Sequence, residues 1–295
     1  MNTFTASVLG RRRLSPHLVS ISLEVDGDFV TTGVPDEYLR VLIAPEGAEL
    51  ALPEVDDDLR WVYPEGSVEP VARVYTVSDH RIVDGRVQID VDVALHDVGA
   101  GSDWARTCAP GDRVGLTEPN GLYAAAPDVP WQLLVCDITG LSALARILRG
   151  LSPEQRVEAV VVLTDPADEV PLPSPAEVTI DWVVVDDERH VADAMSSAVL
   201  DRELPDQGRY VWLAGEARAS RAVRKHLRRT LRWPQSDFYT CGYWQLDAEK
   251  WTARYEQVAE QVDAAAIEAY HQRQSDGDEG AYLDRLEDIY ENAGL

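Results

Sequence analysis

Cysteine is scarce in this chain of 295 residues, with Cys108, Cys136 and Cys241 the full set of three. Their number is odd and their spacing wide, so neither a disulfide framework nor a zinc site is expected, and a reducing compartment fits. No metal centre is assigned. Positive charge is scarce too: 27 Lys and Arg face 52 Asp and Glu, a net charge of −25. Such a surface repels nucleic acid and anionic membranes, so an anionic ligand must bind at a local basic exception. No apolar run approaches membrane-spanning length. Arg11, Arg12 and Arg13 are not followed by an apolar stretch, so no secretory signal is read there. The expectation is a cytoplasmic protein, monomer or weak dimer, with no membrane insertion. There are no internal repeats.

What is present suffices for about two domains. Residues 3–50 read as strands, with Leu18 to Val25 and Tyr38 to Ile43 rich in β-formers and Asp26-Gly27 and Glu46-Gly47 as turns. Residues 48–70 are acidic and Pro-rich and read as a surface loop. Val87, Ile89, Val91 and Val93 alternate with Gln88, Asp90 and Asp92, and Asp84-Gly85 before them is a hairpin turn signal. Many short strands at this spacing predict a small antiparallel barrel.

The pattern changes at Pro127-Asp128-Val129-Pro130. Trp131 to Cys136, Val157 to Leu163, Val178 to Val185 and Arg209 to Ala214 are apolar runs, as strands covered on both faces require. Helical segments are predicted between or after them, at Leu141–Leu148, Val191–Leu200 and Ala219–Leu231. This alternation means an open parallel sheet. Residues 246–295 read as a helical tail. Trp251, Tyr255, Val258, Val262, Ala266 and Ala269 form one apolar stripe in it, docking on the main body or on a second copy. Gly277 and Gly280 break the helix.

One stretch concentrates the chemistry. Arg73-Val74-Tyr75-Thr76-Val77-Ser78 reads as a strand of period two, with Arg73, Tyr75 and Val77 on one face. A guanidinium, an aromatic ring and a small hydroxyl together suit a planar anionic ligand. Arg73-x-Tyr75-Thr76 resembles the Arg-x-Tyr-Ser/Thr flavin motif of the ferredoxin–NADP reductase superfamily. The fuller form of that motif, Arg-x-Tyr-Thr-x-Arg, belongs to the siderophore-interacting proteins, flavin-dependent ferric-siderophore reductases, which this stretch resembles. Other segments resemble that family in the same order: Asp36 to Pro45, His96 to Trp104, Asp137-Ile138-Thr139, Leu213-Ala214-Gly215-Glu216 and Gly242-Tyr243-Trp244. The likeness covers about residues 6–245.

The resemblance implies an N-terminal antiparallel β-barrel of the flavin-binding type and a C-terminal α/β open parallel sheet for NAD(P)H, with a helical tail. The implied boundaries are 1–127, 128–245 and 246–295. It also implies roles. Arg73 holds the flavin phosphate, Tyr75 packs on the isoalloxazine and Thr76 bonds near its N5; Tyr75 and Thr76 stand nearest the chemistry. Val77 and Ser78 complete the motif, with Ser78 where the family has a second Arg. His96, Gly99, Gly101, Ser102 and Trp104 supply a flavin edge and a phosphate-binding helix start. Asp137 and Thr139, then Gly215 and Glu216, lie at the nucleotide edge of the sheet, although no Gly-x-Gly-x-x-Gly fingerprint is present. Tyr243 and Trp244 border the flavin–nicotinamide gap.

The implied cofactors are FAD and NADPH or NADH, and the implied partner is a ferric siderophore. Arg224, Lys225 and Arg228 lie on a basic helix face expected to take the 2′-phosphate of NADPH or an anionic siderophore. The implied activity is NAD(P)H-dependent reduction of a ferric siderophore, releasing Fe(II) in the cytosol. Two further activities stay open: a siderophore-binding or shuttle protein with weakened flavin binding, and a general NAD(P)H:flavin-type reductase.

Overall fold

The computed structural model describes residues 2–56, 60–97, 99–246, 248–277 and 279–294. Its first half is a closed barrel with strand order β1-β2-β7-β6-β3-β8 and antiparallel neighbours. The strands are β1 (Thr3–Ser15), β2 (Leu18–Val25), β3 (Tyr38–Ile43), β6 (Val71–Val83), β7 (Arg86–Ala94) and β8 (Arg113–Thr117). The alternation read in β7 is real: Ile89, Val91 and Val93 are buried in the barrel core with Ile21, Leu23, Val41 and Val77. Asp84 and Gly85 take φ 51° and 79°, the left-handed pair that a two-residue hairpin needs to match strand twist. Within the predicted loop 48–70, Glu54–Val55 (β4) and Trp61–Val62 (β5) pair as a minimal hairpin. Residues 57–59 of that loop lie outside the described residues.

β6 changes partners along its length. Residues Val71 to Thr76 pair with β3, while pairing with β7 begins only at Val77 and passes a bulge before Asp79. The first half of β6 therefore keeps a free edge on its β7 side. Helix α1 (Ala100–Thr107) lies next to it, its Gly101 against Tyr75.

The second half is a five-stranded parallel sheet of order β11-β10-β9-β12-β13. Its strands are β9 (Trp131–Asp137), β10 (Arg156–Leu163), β11 (Glu177–Val184), β12 (Arg209–Glu216) and β13 (Phe238–Trp244). Helix α2 (Leu141–Arg149) covers one face, and α3 (Val191–Leu200) and α4 (Ala217–Lys225) cover the other. The order in which successive strands are added reverses between β9 and β12, the switch point where open α/β sheets bind ligands. The sequence reading had no fifth strand. β13 is an edge strand buried fully only at Phe238, so it lacks the continuous apolar run that marks its neighbours.

Two helical expectations are corrected. The helix expected over 219–231 is α4 followed by a π-turn at His226–Thr230. That turn shifts the periodicity, so Val223 and Leu227 are buried but Leu231 is exposed. The tail is a helical hairpin, α5 (Ala248–Asp276) and α6 (Glu279–Ala293), broken at Gly277 with φ 70° while Gly280 stays helical. Helix α5 packs on α6: Trp251, stacked on Tyr255, reaches Tyr290, and Tyr270 meets Tyr282.

Barrel and sheet are joined by buried polar bridges. Arg146 of α2 lies 3.6 Å from the fully buried Glu37. Asp36 accepts from the backbone of Leu122 and Tyr123, both at 2.8 Å, and from the Trp212 indole at 3.4 Å. Asp168, after β10, accepts from Ser15 at 2.6 Å and from the His17 backbone at 2.8 Å, with the His17 ring at 2.7 Å. Asp165 completes the one trio among the described residues with metal-ligand proximity, but Asp168 is already committed to this seam.

Candidate active site

The free edge of β6 faces the carboxyl ends of β9 and β13 across a cleft of about 520 Å3. The barrel contributes Tyr38, Arg73, Val74, Tyr75, Thr76, Asp92, Ala94 and His96, and the start of α1 contributes Gly99, Gly101 and Ser102. The sheet contributes Thr139, Cys241, Gly242, Tyr243 and Trp244. Because one edge of β6 is unpaired there, side chains from both of its faces line the cleft. The backbone N–H and C=O groups along that edge are likewise left for a ligand.

Arg73 is exposed, and its one hydrogen bond runs to the Ala72 carbonyl at 2.9 Å. Among the described residues it has no carboxylate within ion-pair distance. In a chain of net charge −25, that leaves a free guanidinium for an anion. Tyr75 stacks on the buried Trp104 with ring centroids 6.2 Å apart, and burial pushes its hydroxyl up to about 12, so it is neutral. A Cβ at Gly101 would fall 2.1 Å from the Tyr75 oxygen, so glycine is required for α1 to approach this closely. Gly99 caps α1 at φ 126° and offers no side-chain acceptor, and the Ser102 hydroxyl accepts from His96 N–H at 2.9 Å instead. The first-turn amides of α1 are thus left for an anion.

The sheet side is held by two carboxylates. Asp137 takes Thr139 N–H at 2.8 Å, Thr139 Oγ1 at 2.6 Å and Trp244 Nε1 at 2.7 Å. Burial pushes its carboxyl up, and these donors pull it back. Gly215 packs against it; a Cβ there would lie 2.4 Å from its Oδ2. Glu216 caps α4, accepting from Arg218 N–H at 2.6 Å and Ala219 N–H at 3.2 Å. Tyr243 lines the same cleft as Thr76, and burial raises its hydroxyl well above its usual range. The His96 ring lies 6.2 Å from Trp244 and 3.8 Å from Glu188 Oε1.

Of the residues singled out in the sequence, Arg73, Tyr75, Thr76, His96, Gly99, Gly101, Ser102, Thr139, Tyr243 and Trp244 share this cleft. Val77, Ser78, Trp104, Asp137, Gly215 and Glu216 do not line it. Val77 is in the barrel core, and Trp104 stands behind Tyr75. Ser78 donates to Asp92 at 2.8 Å. Asp137, Gly215 and Glu216 support the sheet side. Val98, within the His96–Trp104 run, lies outside the described residues. The sequence reading missed Tyr38, opposite Thr76 in the sheet register, and Asp92, whose second oxygen accepts from Ser142 of α2 at 2.6 Å. The alternation of β7 placed Asp92 outside the barrel but could not say that α2 would meet it.

The basic face is a correction. Arg224 is buried and pairs with Asp284 of α6 at 2.7 Å; Arg228 reaches the same carboxylate at 3.0 Å, and Arg229 reaches Asp288 at 2.6 Å. Arg224 also lies about 10 Å down α4 from the carboxyl edge. Lys225, on the same helix, is exposed and does not line the cleft. Periodicity showed the stripe of positive charge but not that an acidic helix would cover it.

Two family descriptions match this chain: "Siderophore-interacting FAD-binding domain" over residues 7–123 and "Siderophore-interacting protein" over residues 129–247. The chain belongs to the siderophore-interacting protein family. Among curated relatives, the NADPH-dependent ferric-chelate reductase of Escherichia coli is 28% identical, over 71% of this chain and 79% of that protein. The ferric vibriobactin reductase ViuB of Vibrio cholerae is 26% identical, over 79% of this chain and 86% of its own length. A siderophore utilization protein from T. fusca superposes with a TM-score of 0.67 at 28% identity, covering 83% of this chain and 94% of that one. The FAD that the family binds fits the donors present here: a free guanidinium, uncapped helix amides and aromatic faces on both walls.

Proposed function

We propose that this protein is an FAD-dependent NAD(P)H:ferric-siderophore reductase that releases iron as Fe(II) in the cytosol. The observation that carries this reading is the cleft itself, where Arg73, Tyr75 and Thr76 of the barrel face Tyr243 and Trp244 of the sheet. The named activities of the E. coli and V. cholerae relatives support the same reaction class. We also propose residues 1–127 as the flavin-binding domain, 128–245 as the NAD(P)H-binding domain and 246–295 as a tail.

FAD, when bound, takes up the two electrons of a hydride and passes them on singly, which side chains cannot do. The chain's own residues position and exclude. Arg73 and the α1 amides would hold the flavin phosphate. Tyr75, backed by Trp104, gives a flat neutral wall. Thr76 would offer its hydroxyl to the flavin from the same cleft that Tyr243 lines. Trp244, tied by Asp137, and His96 border the donor's entry and keep water from it. Ferric ion is a hard cation gripped by anionic oxygen ligands, and reduction weakens that grip.

The test is steady-state NAD(P)H oxidation by FAD-loaded protein, with a ferrous-specific chelator as trap. Oxidation that depends on a ferric siderophore and yields trapped Fe(II) supports the reading. Oxidation equally fast with free flavin as acceptor would make this a general flavin reductase. Siderophore binding without flavin would make it a shuttle.

A further inference from the structure

The loop after β11 reaches the rim of the cleft. Val185 continues the ladder from Leu163, and Glu188 in the next turn lies 3.8 Å from the cleft-lining His96. In an open parallel sheet the dinucleotide lies along the carboxyl edge, with one end at the switch point. A nicotinamide at Thr139, Tyr243 and Trp244 would let the adenosine half extend past β10 toward this loop. Neighbouring strands are about 4.8 Å apart, so two strands span roughly 10 Å, within the reach of a dinucleotide.

The charges there are specific. The loop reads Asp186-Asp187-Glu188-Arg189-His190. Asp187 clamps Arg189 bidentately, Oδ1 to Nε at 2.8 Å and Oδ2 to Nη2 at 2.9 Å, and also takes the Arg189 N–H at 2.8 Å. His190 Nδ1 lies 2.7 Å from Asp186 Oδ1. Arg218, at the head of α4, pairs with Asp193 at 2.9 Å. Arg224, Arg228 and Arg229 are committed to α6 at the other end of α4. Arg189, His190 and Arg218 thus each already have a carboxylate partner, while Glu188 adds negative charge at the rim.

We infer that this loop makes the protein selective for NADH over NADPH, with Asp187 masking Arg189 as the specificity determinant. A 2′-phosphate must displace Asp187 from a bidentate clamp, or sit among carboxylates with no cation of its own. The 2′-hydroxyl of NADH brings no charge, and Asp186 or Glu188 can accept from it. The inference rests on the reading that this cleft takes a pyridine nucleotide.

The experiment uses the full-length, FAD-loaded protein and measures kcat/KM for NADH and NADPH. A second readout, independent of turnover, is a calorimetric titration with 5′-AMP and with 2′,5′-ADP. NADH should be favoured by about tenfold or more, the worth of one unmade charge-assisted bond. Asp187→Ala should free Arg189 and bring the ratio close to parity by improving NADPH, and 2′,5′-ADP should gain affinity while 5′-AMP does not. Asp187→Ala combined with Arg189→Ala should restore the discrimination, which a loop merely unfolded by the first change would not do. A wild-type preference for NADPH, or an Asp187→Ala ratio unchanged in both readouts, overturns the inference while leaving the reductase reading intact. Failure to oxidise or bind either nucleotide overturns the reductase reading itself.

Discussion

Trp244 donates its indole N–H to the buried Asp137 at 2.7 Å, so one wall of the cleft hangs on a buried carboxylate. Burial raises the folded-state value of that carboxyl above its unfolded one. The native state therefore holds a proton more tightly there than the unfolded chain. The resulting stability is full below the unfolded value and is lost as pH rises through the folded one.

Asp137→Asn removes this titration. Its amide offers Trp244 a donor where it had an acceptor, leaving the indole unpaired at a cost of about 1–3 kcal/mol. The expected result is a lower melting temperature at mildly acidic pH and a flatter pH profile than wild type. Melting curves measured from acid to neutral pH, with tryptophan emission as the second signal, check it. Parallel profiles for the two proteins would mean that Asp137 does not titrate in this way.

Arg73→Ala removes the cleft's free guanidinium. The lost charge-assisted contact to a phosphate is worth roughly 1.5–3 kcal/mol, which weakens FAD binding by about tenfold to a hundredfold. Quenching of flavin fluorescence on titration with the apoprotein measures it. Thermal stability should hardly change, because Arg73 is exposed and bonds only to its neighbour's carbonyl.

Gly101→Ala drives a methyl group against the Tyr75 hydroxyl, 2.1 Å from where it must sit. The ring is displaced from Trp104, and flavin affinity falls by about tenfold, comparable to a cost of 1–3 kcal/mol for overpacking. Tyr75→Phe removes the obstructing oxygen. The double variant should therefore bind flavin better than Gly101→Ala alone, a coupling that a double-mutant cycle resolves.

Arg224→Ala with Arg228→Ala breaks the ion pairs that hold α6 on α4. Both electron donors should keep their relative KM values, since the pair lies away from the carboxyl edge. The tail, by contrast, should become an early target of limited proteolysis, and added salt should have a similar, weaker effect on the wild-type protein. A rise in KM for NADPH alone would return these residues to the nucleotide site.

What could be read from the chain was what local pattern determines. Period two in β7, the Asp84-Gly85 turn and the buried runs of β9, β10 and β12 each announce themselves within ten residues, and together they dictate barrel then sheet. The Arg73-Tyr75-Thr76 strand was legible because its residue types match a ligand as well as a conformation. The rest depends on who meets whom. The free edge of β6 exists because its ladder with β7 ends at the Val77–Val91 pair. The turn of Ser78 toward Asp92, and the meeting of Asp92 with Ser142 of α2, are tertiary events. β13 carries too little apolar surface to stand out as an edge strand. The charge pattern of α4 looked like a site because nothing local reveals that Asp284 and Asp288, more than fifty residues later, will cover it.

The central claim is a two-step passage of electrons through one cleft, and an anaerobic titration of the FAD-loaded protein tests it most directly. The account predicts that NADH bleaches the visible flavin band, and that two equivalents of ferric siderophore per flavin then restore it, with two equivalents of Fe(II) appearing in the chelator trap. A band that NADH bleaches but the ferric siderophore leaves unchanged would contradict the account.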